Sequence, residues 1–542
     1  MQYPNIYTLF RTQTEKYGDK PVFYTRGETG WDMQTWAEFE NKVHDLACGL
    51  LAKGLSKGSS VAILAGNISE WTICDIGAIA AGGVGVGIYP TSSVEQSEFV
   101  IAHSDAEFVI VDTVAQLAKV EEFARRSGKV KETLCIEDGS FTRFLKFGRT
   151  KRGEFLQQIE ETAFDADIED IAIMVYTSGT TGVPKGAMLS HKYILNSVES
   201  LRRSVPIFEN DVAISYLPGC HVAERISGIY NRLHNGTPAY FINDLGRLYE
   251  YMLDIKPTVF ASLPRFFEKI HAKVVGATGG GMVETQDVKD AFGRNIRLLT
   301  SGGAPLPLEI ADFFESHDLP ILQAYGLTEN ICVAFNTVAK RKFGTVGKPM
   351  PMCKVRVARD GEILVKSAMM FSGYYKEPGK TAEMFNANGW LKTGDLGELD
   401  DDGYLKITGR KKEIIVLSSG KNVAPALVEN FVKESHLISH CFLFGDGHSY
   451  CVAMITLNSA EAAEFAGGNT DSLDGDAIRA EVDRIVAKAN ARVSSSEQIK
   501  KYTILDGDFS AEADEITPTM KLKRNVVAAH YKDILEKLYD QS

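Results

Sequence analysis

Apolar positions recur every three to four residues through "TWAEFENKVHDLACGLLAKGL", which predicts a helix ending at Gly54. The next stretch, "SSVAILAG", is an apolar run of strand length. "EWTICDIGAIAAGG" returns to helical spacing, and "GVGIYP" is a second strand. "EQSEFVIAHSDAEFVIVD" repeats the helix-then-strand order, and residues 211–242 and 250–262 continue it, as in "MLDIKPTVFASLP". Strands that alternate with helices imply parallel sheets covered on both faces.

The texture changes from about residue 344. "KVRVARDGEILVKS" alternates apolar and polar positions around an Asp-Gly turn, and "GELDDDGYLKITGR" does so around Asp402-Gly403, so both are antiparallel hairpins. After "GRKKE" comes a smaller unit. It has a helix from about 425, the strand pair in "HCFLFGDGHSYCVAMITL", a long helix near 475–493 and the amphipathic tail "NVVAAHYKDILEKLY". The domain boundary is placed at 410–413, with a large domain over 1–409 and a small α+β domain over 414–542. The expected fold is α/β, with helix-covered sheets and a β-barrel-like subdomain in the large domain. "GATGGGM" at 276–282 is expected to be a surface loop.

A chain of 542 residues is too long for one core, which agrees with this division. Lys and Arg number 59 against 71 Asp and Glu, a formal charge of −12. That balance disfavours a general nucleic-acid binder, which needs cations to neutralise phosphates, but leaves room for an anionic ligand in a local pocket. The eight Cys are scattered, with no CxxC pair and no zinc spacing, so reduced thiols are expected. The N-terminal "MQYPNIYTLFRTQTEKYGDK" carries charges and a Pro where a signal peptide needs an apolar core. The longest uncharged apolar run, 76–89, has fourteen residues and five Gly, short of the roughly 20 that span a bilayer. A cytoplasmic protein is expected, with peripheral membrane association open and oligomeric state unreadable.

Chemistry concentrates first in "YTSGTTGVPKG" at 176–186. A strand followed by Gly and hydroxyl residues offers backbone N–H groups and Oγ donors to one anion, and Lys185 adds a cation. The string is not a Walker A loop, because Gly182 is separated from Lys185 by Val183-Pro184. Further strings follow in order: "SGGAPL" at 301–306, "AYGLTEN" at 324–330, "GWLKTGDLGELDDDGYLKITGRKKEIIV" at 389–416, "GKNVAPALVEN" at 420–430 and "ITPTMKLKR" at 516–524. Together they resemble the adenylate-forming (AMP-binding) superfamily of acyl-CoA synthetases, peptide-synthetase adenylation domains and beetle luciferases, over nearly the whole chain. "YLPGCHVAERISG" at 216–228, "ASLPRFFEKI" at 261–270, "GKNVAPALVEN" and "TPTMKLKR" resemble the long-chain fatty acyl-CoA synthetase branch.

The resemblance implies a fatty acid–CoA ligase. It would make acyl-AMP and pyrophosphate from a fatty acid and ATP, then acyl-CoA and AMP. Thr177, Ser178, Gly179, Thr180, Thr181, Gly182 and Lys185 would cradle the β- and γ-phosphates, and Glu329, with Thr177, would hold Mg²⁺. Tyr325 would lie along adenine, with Gly326 leaving room beside it. Ala324, Leu327 and Thr328 would complete that strand, and Gly302, Gly303 and Ala304 would give backbone contacts. Asp395 and Arg410 would bind the ribose hydroxyls, with Ile407 nearby. Lys521 would bridge the acyl carboxylate and the α-phosphate from the small domain, with Arg524 trailing it. Met520 departs from the Gly that precedes this Lys in many relatives. Lys412 matches a hinge, Ser419, Gly420 and Lys421 would face CoA after domain rotation, and His221 would orient substrate or gate the acyl channel. A carrier-protein acceptor, a shorter or aromatic acid, and a non-catalytic binder are the alternatives.

Overall fold

The computed structural model describes residues 3–177, 184–278, 281–465, 475–510, 512–517 and 522–540. Two large sheets form the body. The first has seven strands, in the order Gly373–Tyr374, Lys185–Ser190, Ile171–Thr177, Val84–Ile88, Ser60–Leu64, Ala106–Val111 and Glu132–Cys135. Its last five run parallel, as the alternation implies, and the helices Trp36–Ala52, Ser69–Ala80 and Val94–His103 intervene. Thr35 starts the first of these by a reciprocal capping box with Glu38, which satisfies two otherwise unpaired backbone N–H groups.

The second sheet has nine strands, running from Lys348–Pro349 through Asn330–Phe335, Ile321–Leu327, Leu298–Ser301 and Val259–Ser262 to Trp31–Thr35. Helix His191–Ser204 belongs to the main core and is buried along most of its length. Fully buried aromatics such as Trp36, Phe39 and Tyr193 fill that core, and burying a side chain of this kind contributes roughly 1.5–3 kcal/mol. Where a barrel-like subdomain is expected, the structure has an open four-stranded antiparallel sheet of Cys353–Val357, Glu362–Ser367, Leu391–Leu399 and Leu405–Arg410, whose outer strands do not pair with each other. All eight cysteines are free and buried. No helix among the described residues is long and apolar enough to cross a membrane.

Local geometry adds detail that periodicity does not carry. Residues 223–230 form a π-helix, Ala223–Tyr230, a rarity that recurs at functional sites. It turns Arg225 fully inward, where Nε lies 3.1 Å from Asp75 and Nη2 makes a second, closer contact with the same carboxylate. Tyr230 adds a third bond to Asp75 at 2.8 Å. The amphipathic tail is two helices, Arg524–His530 and Lys532–Asp540, which meet at Tyr531.

In the small domain, the sheet Ile438–Phe444, Cys451–Leu457 and Ile499–Ile504 is covered by the helices Pro425–Val432 and Asp476–Asn490. Side-chain contacts to the large domain include Arg265 on the Ile438 carbonyl at 3.4 Å and Lys488 near Glu309 at 3.8 Å. Polar contacts this long at a surface contribute little, under ~1 kcal/mol each.

Candidate active site

Thr177, the glycines after Ser301 and the residues up to Glu329 lie at or just beyond the carboxyl ends of strands of both large sheets, the usual ligand face of open α/β sheets. Strand Ile171–Thr177 pairs antiparallel with Lys185–Ser190, with Thr177 opposite Lys185. The phosphate-loop string is therefore flanked by two paired strands, and no helix begins directly after Lys185 to lend its dipole. Ser178, Gly179, Thr180, Thr181 and Gly182 lie outside the described residues, as does Lys521.

Strand Ile321–Leu327 turns back into Asn330–Phe335, and this hairpin carries Ala324, Tyr325, Gly326, Leu327, Thr328 and Glu329. Gly326 is demanded by the backbone itself, because a Cβ there would run into the Ile331 carbonyl. Tyr193, from the helix that Ser190 caps, pins the turn from below. Its hydroxyl donates to the Thr328 carbonyl at 2.9 Å and accepts from the Ile331 N–H at 3.0 Å. Glu329 is thus a buried carboxylate on a fixed turn.

Its side chain meets the hydroxyl of Tyr374, which donates to Oε1. Lys185 Nζ lies 5.2 Å from the centroid of the same tyrosine ring, a cation over a π face. Burial, and then the neighbouring Glu329 charge, push the Tyr374 hydroxyl well above the usual tyrosine range, so it remains a donor.

The other end of the hairpin holds a second group. Tyr325 donates to Asp395 Oδ2, and Arg410 Nε sits 2.8 Å from Oδ1. The Asp395 N–H is held by Thr393 Oγ1 at 3.0 Å. Burial, followed by Asp395, raises the Tyr325 hydroxyl well above its ordinary pKa. Each carboxylate oxygen has a further lone pair, so Asp395 can still accept from a ligand hydroxyl. Ile407 lies on the strand that ends at Arg410 and pairs with Gly397. The loop after Leu298–Ser301 brings Gly302 against the Ala324 carbonyl, and Gly303 takes a left-handed φ of 79°.

Elsewhere the expected residues stand apart. His221 Nδ1 accepts from the Ala223 N–H at 3.2 Å, at the entry to the π-helix. Lys412 is exposed in the 3₁₀ turn Lys411–Glu413, directly after Lys411, which pairs with Asp360 at 2.7 Å and Glu362 at 2.8 Å. Ser419, Gly420 and Lys421 form an exposed turn of the small domain, closed by the Leu417 N–H on the Lys421 carbonyl. Ile516 and Leu522 form an isolated antiparallel bridge, and Arg524 reaches Glu429 at 2.6 Å and stacks on Phe442.

Among the described residues, no group of three or more His, Cys, Asp and Glu could hold a metal ion. Glu329 and the Thr177 hydroxyl are hard oxygen donors of the kind Mg²⁺ prefers, and Mg²⁺ commonly takes one or two carboxylates plus substrate phosphates. The donor set fits an ion that arrives with a nucleotide. Tyr374, Tyr193 and Arg225 were missed from the sequence: the two tyrosines belong to no string that announces chemistry, and Arg225, although within "YLPGCHVAERISG", was passed over for His221.

A large domain of two helix-covered sheets, followed by a small α+β domain, sets the frame for comparison with known proteins. A family model described as "AMP-binding enzyme" matches residues 10–375, and one for the "AMP-binding enzyme C-terminal domain" matches 412–542. The chain belongs to the AMP-binding enzyme family. A long-chain-fatty-acid–CoA ligase of Mycobacterium bovis is 34% identical over 572 aligned residues, covering 96% of this chain and 94% of that protein. The long-chain-fatty-acid–CoA ligase ACSBG2 of Homo sapiens is 29% identical, with 98% and 92% covered. Among solved structures, the adenylation domain of a carboxylate reductase from Mycobacterium chelonae superimposes with a TM-score of 0.81 at 23% identity, over 99% of this chain and 91% of that one. That likeness speaks for the fold alone.

Proposed function

We propose that the protein is an ATP-dependent long-chain fatty acid–CoA ligase, forming acyl-AMP and then acyl-CoA. The observation that carries this reading is the single hairpin with Tyr325 tied to Asp395 at one end and, at the other, Glu329 bonded to Tyr374, whose ring carries Lys185. These pairs suit the two ends of one nucleotide, ribose and phosphates. The relatives supply the acid and the thiol.

The carboxylate of a fatty acid is ionised near pH 7, so no general base is needed. The difficulty is the approach of two anions, and the chain answers it with placed charge. Asp395 and Arg410 orient the ribose, Lys185 holds the pyrophosphate end, and Glu329 would hold Mg²⁺. Mg²⁺, when bound, neutralises phosphate charge. Lys521 arrives from the small domain as charge develops at the α-phosphate, so it favours the transition state over either separated reactant. Lys412 acts as the hinge, following directly on Lys411, which is paired to the large domain, and exposed in the turn between the two domains. Rotation then presents Ser419, Gly420 and Lys421 to CoA, and His221 lines the acyl entrance.

The test is AMP release across a ladder of acids from butanoate to eicosanoate, with and without CoA. Release with long acids that rises with CoA supports the reading. Turnover confined to short or aromatic acids, or indifference to CoA in favour of a carrier protein, overturns it.

A further inference from the structure

Glu329 and Lys185 carry opposite charges and share one neighbour, the buried ring of Tyr374, yet they form no ion pair with one another. The segment 371–375 accounts for this. It runs antiparallel to Lys185–Ser190, with Gly373 opposite Met188 and Tyr374 opposite Ala187. The Ser372 N–H donates to the Met188 carbonyl at 2.9 Å, and the Tyr375 N–H to the Gly186 carbonyl at 2.8 Å. The same segment reaches the other partner, because the Phe371 N–H donates to the Glu329 carbonyl at 3.0 Å. Tyr374 is further held by Thr381, whose Oγ1 accepts its N–H at 2.8 Å, and by the Phe371 ring at 5.0 Å.

We propose that Tyr374 is a positioning residue that holds Glu329 and Lys185 apart and aims each at a different part of the bound nucleotide. Its hydroxyl fixes one carboxylate oxygen of Glu329 and leaves the other for a cation. Its ring face carries the Lys185 ammonium, which stays available to phosphate oxygens. Without the ring, attraction between unlike charges at low dielectric closes Lys185 onto Glu329 and cancels both. This inference rests on the reading of Glu329 and Lys185 given under Proposed function.

The experiment is calorimetric titration of ATP into the full-length protein, with Mg²⁺ and with EDTA, for wild type, Tyr374→Phe, Tyr374→Leu and Glu329→Gln. Tyr374→Phe keeps the ring and loses the hydroxyl. It should weaken binding of the Mg²⁺ complex by about tenfold, the worth of one hydrogen bond to a charged group, and leave binding in EDTA unchanged. Tyr374→Leu should weaken binding in both conditions. In parallel, acyl-AMP formation should slow in Tyr374→Phe, while conversion of supplied acyl-AMP to acyl-CoA keeps its rate. A Tyr374→Phe protein that binds as wild type does in both conditions, or loses both half-reactions equally, overturns the proposal. Glu329→Gln separates the two ideas. If it removes the Mg²⁺-dependent gain and Tyr374→Phe does not, only the Tyr374 role falls; if it leaves that gain intact, the reading of Glu329 falls with it.

Discussion

The hydroxyl of Tyr325 donates to the carboxylate of Asp395, joining the last turns of a large-sheet strand to a sheet that begins beyond residue 350. Two separate parts of the chain thereby share one rigid acceptor, which Arg410 steadies from the other side. Tyr325→Phe removes a bond to a charged group, worth ~1.5 kcal/mol or more. KM for ATP should rise about tenfold, with little change in thermal midpoint. An unchanged KM places Asp395 outside the ribose site.

Gly326→Ala tests the hairpin rather than the ligand. The added methyl meets the Ile331 carbonyl, so the turn must open. The expected result is a loss of ~2–4 kcal/mol of stability, in the range of other backbone and overpacking clashes, and loss of ATP binding. Denaturant midpoints and equilibrium dialysis with labelled ATP check it.

The Arg225–Asp75 pair is buried on both sides, and Arg225 also donates to the Met174 and Gly85 carbonyls. Arg225→Met strands Asp75 and Tyr230 without their cation and should cost ~3–5 kcal/mol. Asp75→Leu combined with Arg225→Met should recover part of that loss. A double variant as unstable as the single one shows that the guanidinium's carbonyl bonds matter more than the pair.

Stability should fall on acidification. Burial lowers both His44 and His191 to a pKa of about 4. His44 bonds the Tyr7 hydroxyl, and His191 Nδ1 accepts the Ile6 N–H at 3.3 Å. Both are neutral in the fold and bind a proton more readily once unfolded, so their contribution is complete above about pH 6.5 and is lost as pH falls toward 4. Together they should cost several kcal/mol across that window. Urea midpoints at pH 7 and pH 5 measure it, and His191→Gln should flatten the profile.

Lys521→Ala should abolish acyl-AMP formation and spare the conversion of supplied acyl-AMP. Equal loss of both steps refutes a scheme in which the small domain presents two faces. Removal of residues from 413 onward should leave ATP binding without turnover, and CoA ligation by that fragment contradicts the role given to the small domain.

Much of this was legible in the chain. Helix–strand alternation gave the parallel strands, the two Asp-Gly turns gave the hairpins, and strings such as "TGD" and "GLTEN" marked Asp395 and Glu329. Tyr374 was not legible, because its role exists only through strand pairing with residues nearly two hundred positions earlier. The π-helix was hidden because eight residues make fewer than two turns, too few for its wider period to be told from that of an α-helix. "KGAMLS" is too short to declare itself strand or helix, so its pairing across the phosphate loop emerged only in three dimensions.

The buried cysteines have a practical consequence. Burial pushes the thiols of Cys48 and Cys451 up to about 11 and those of Cys220 and Cys353 up to about 12, far from the thiolate that reacts with maleimides. One cysteine introduced at an exposed position on each domain, at Lys500 and at Met33 for instance, would then take a fluorophore without a cysteine-free background. Energy transfer between such labels would show in solution whether the small domain moves as substrates are added one by one.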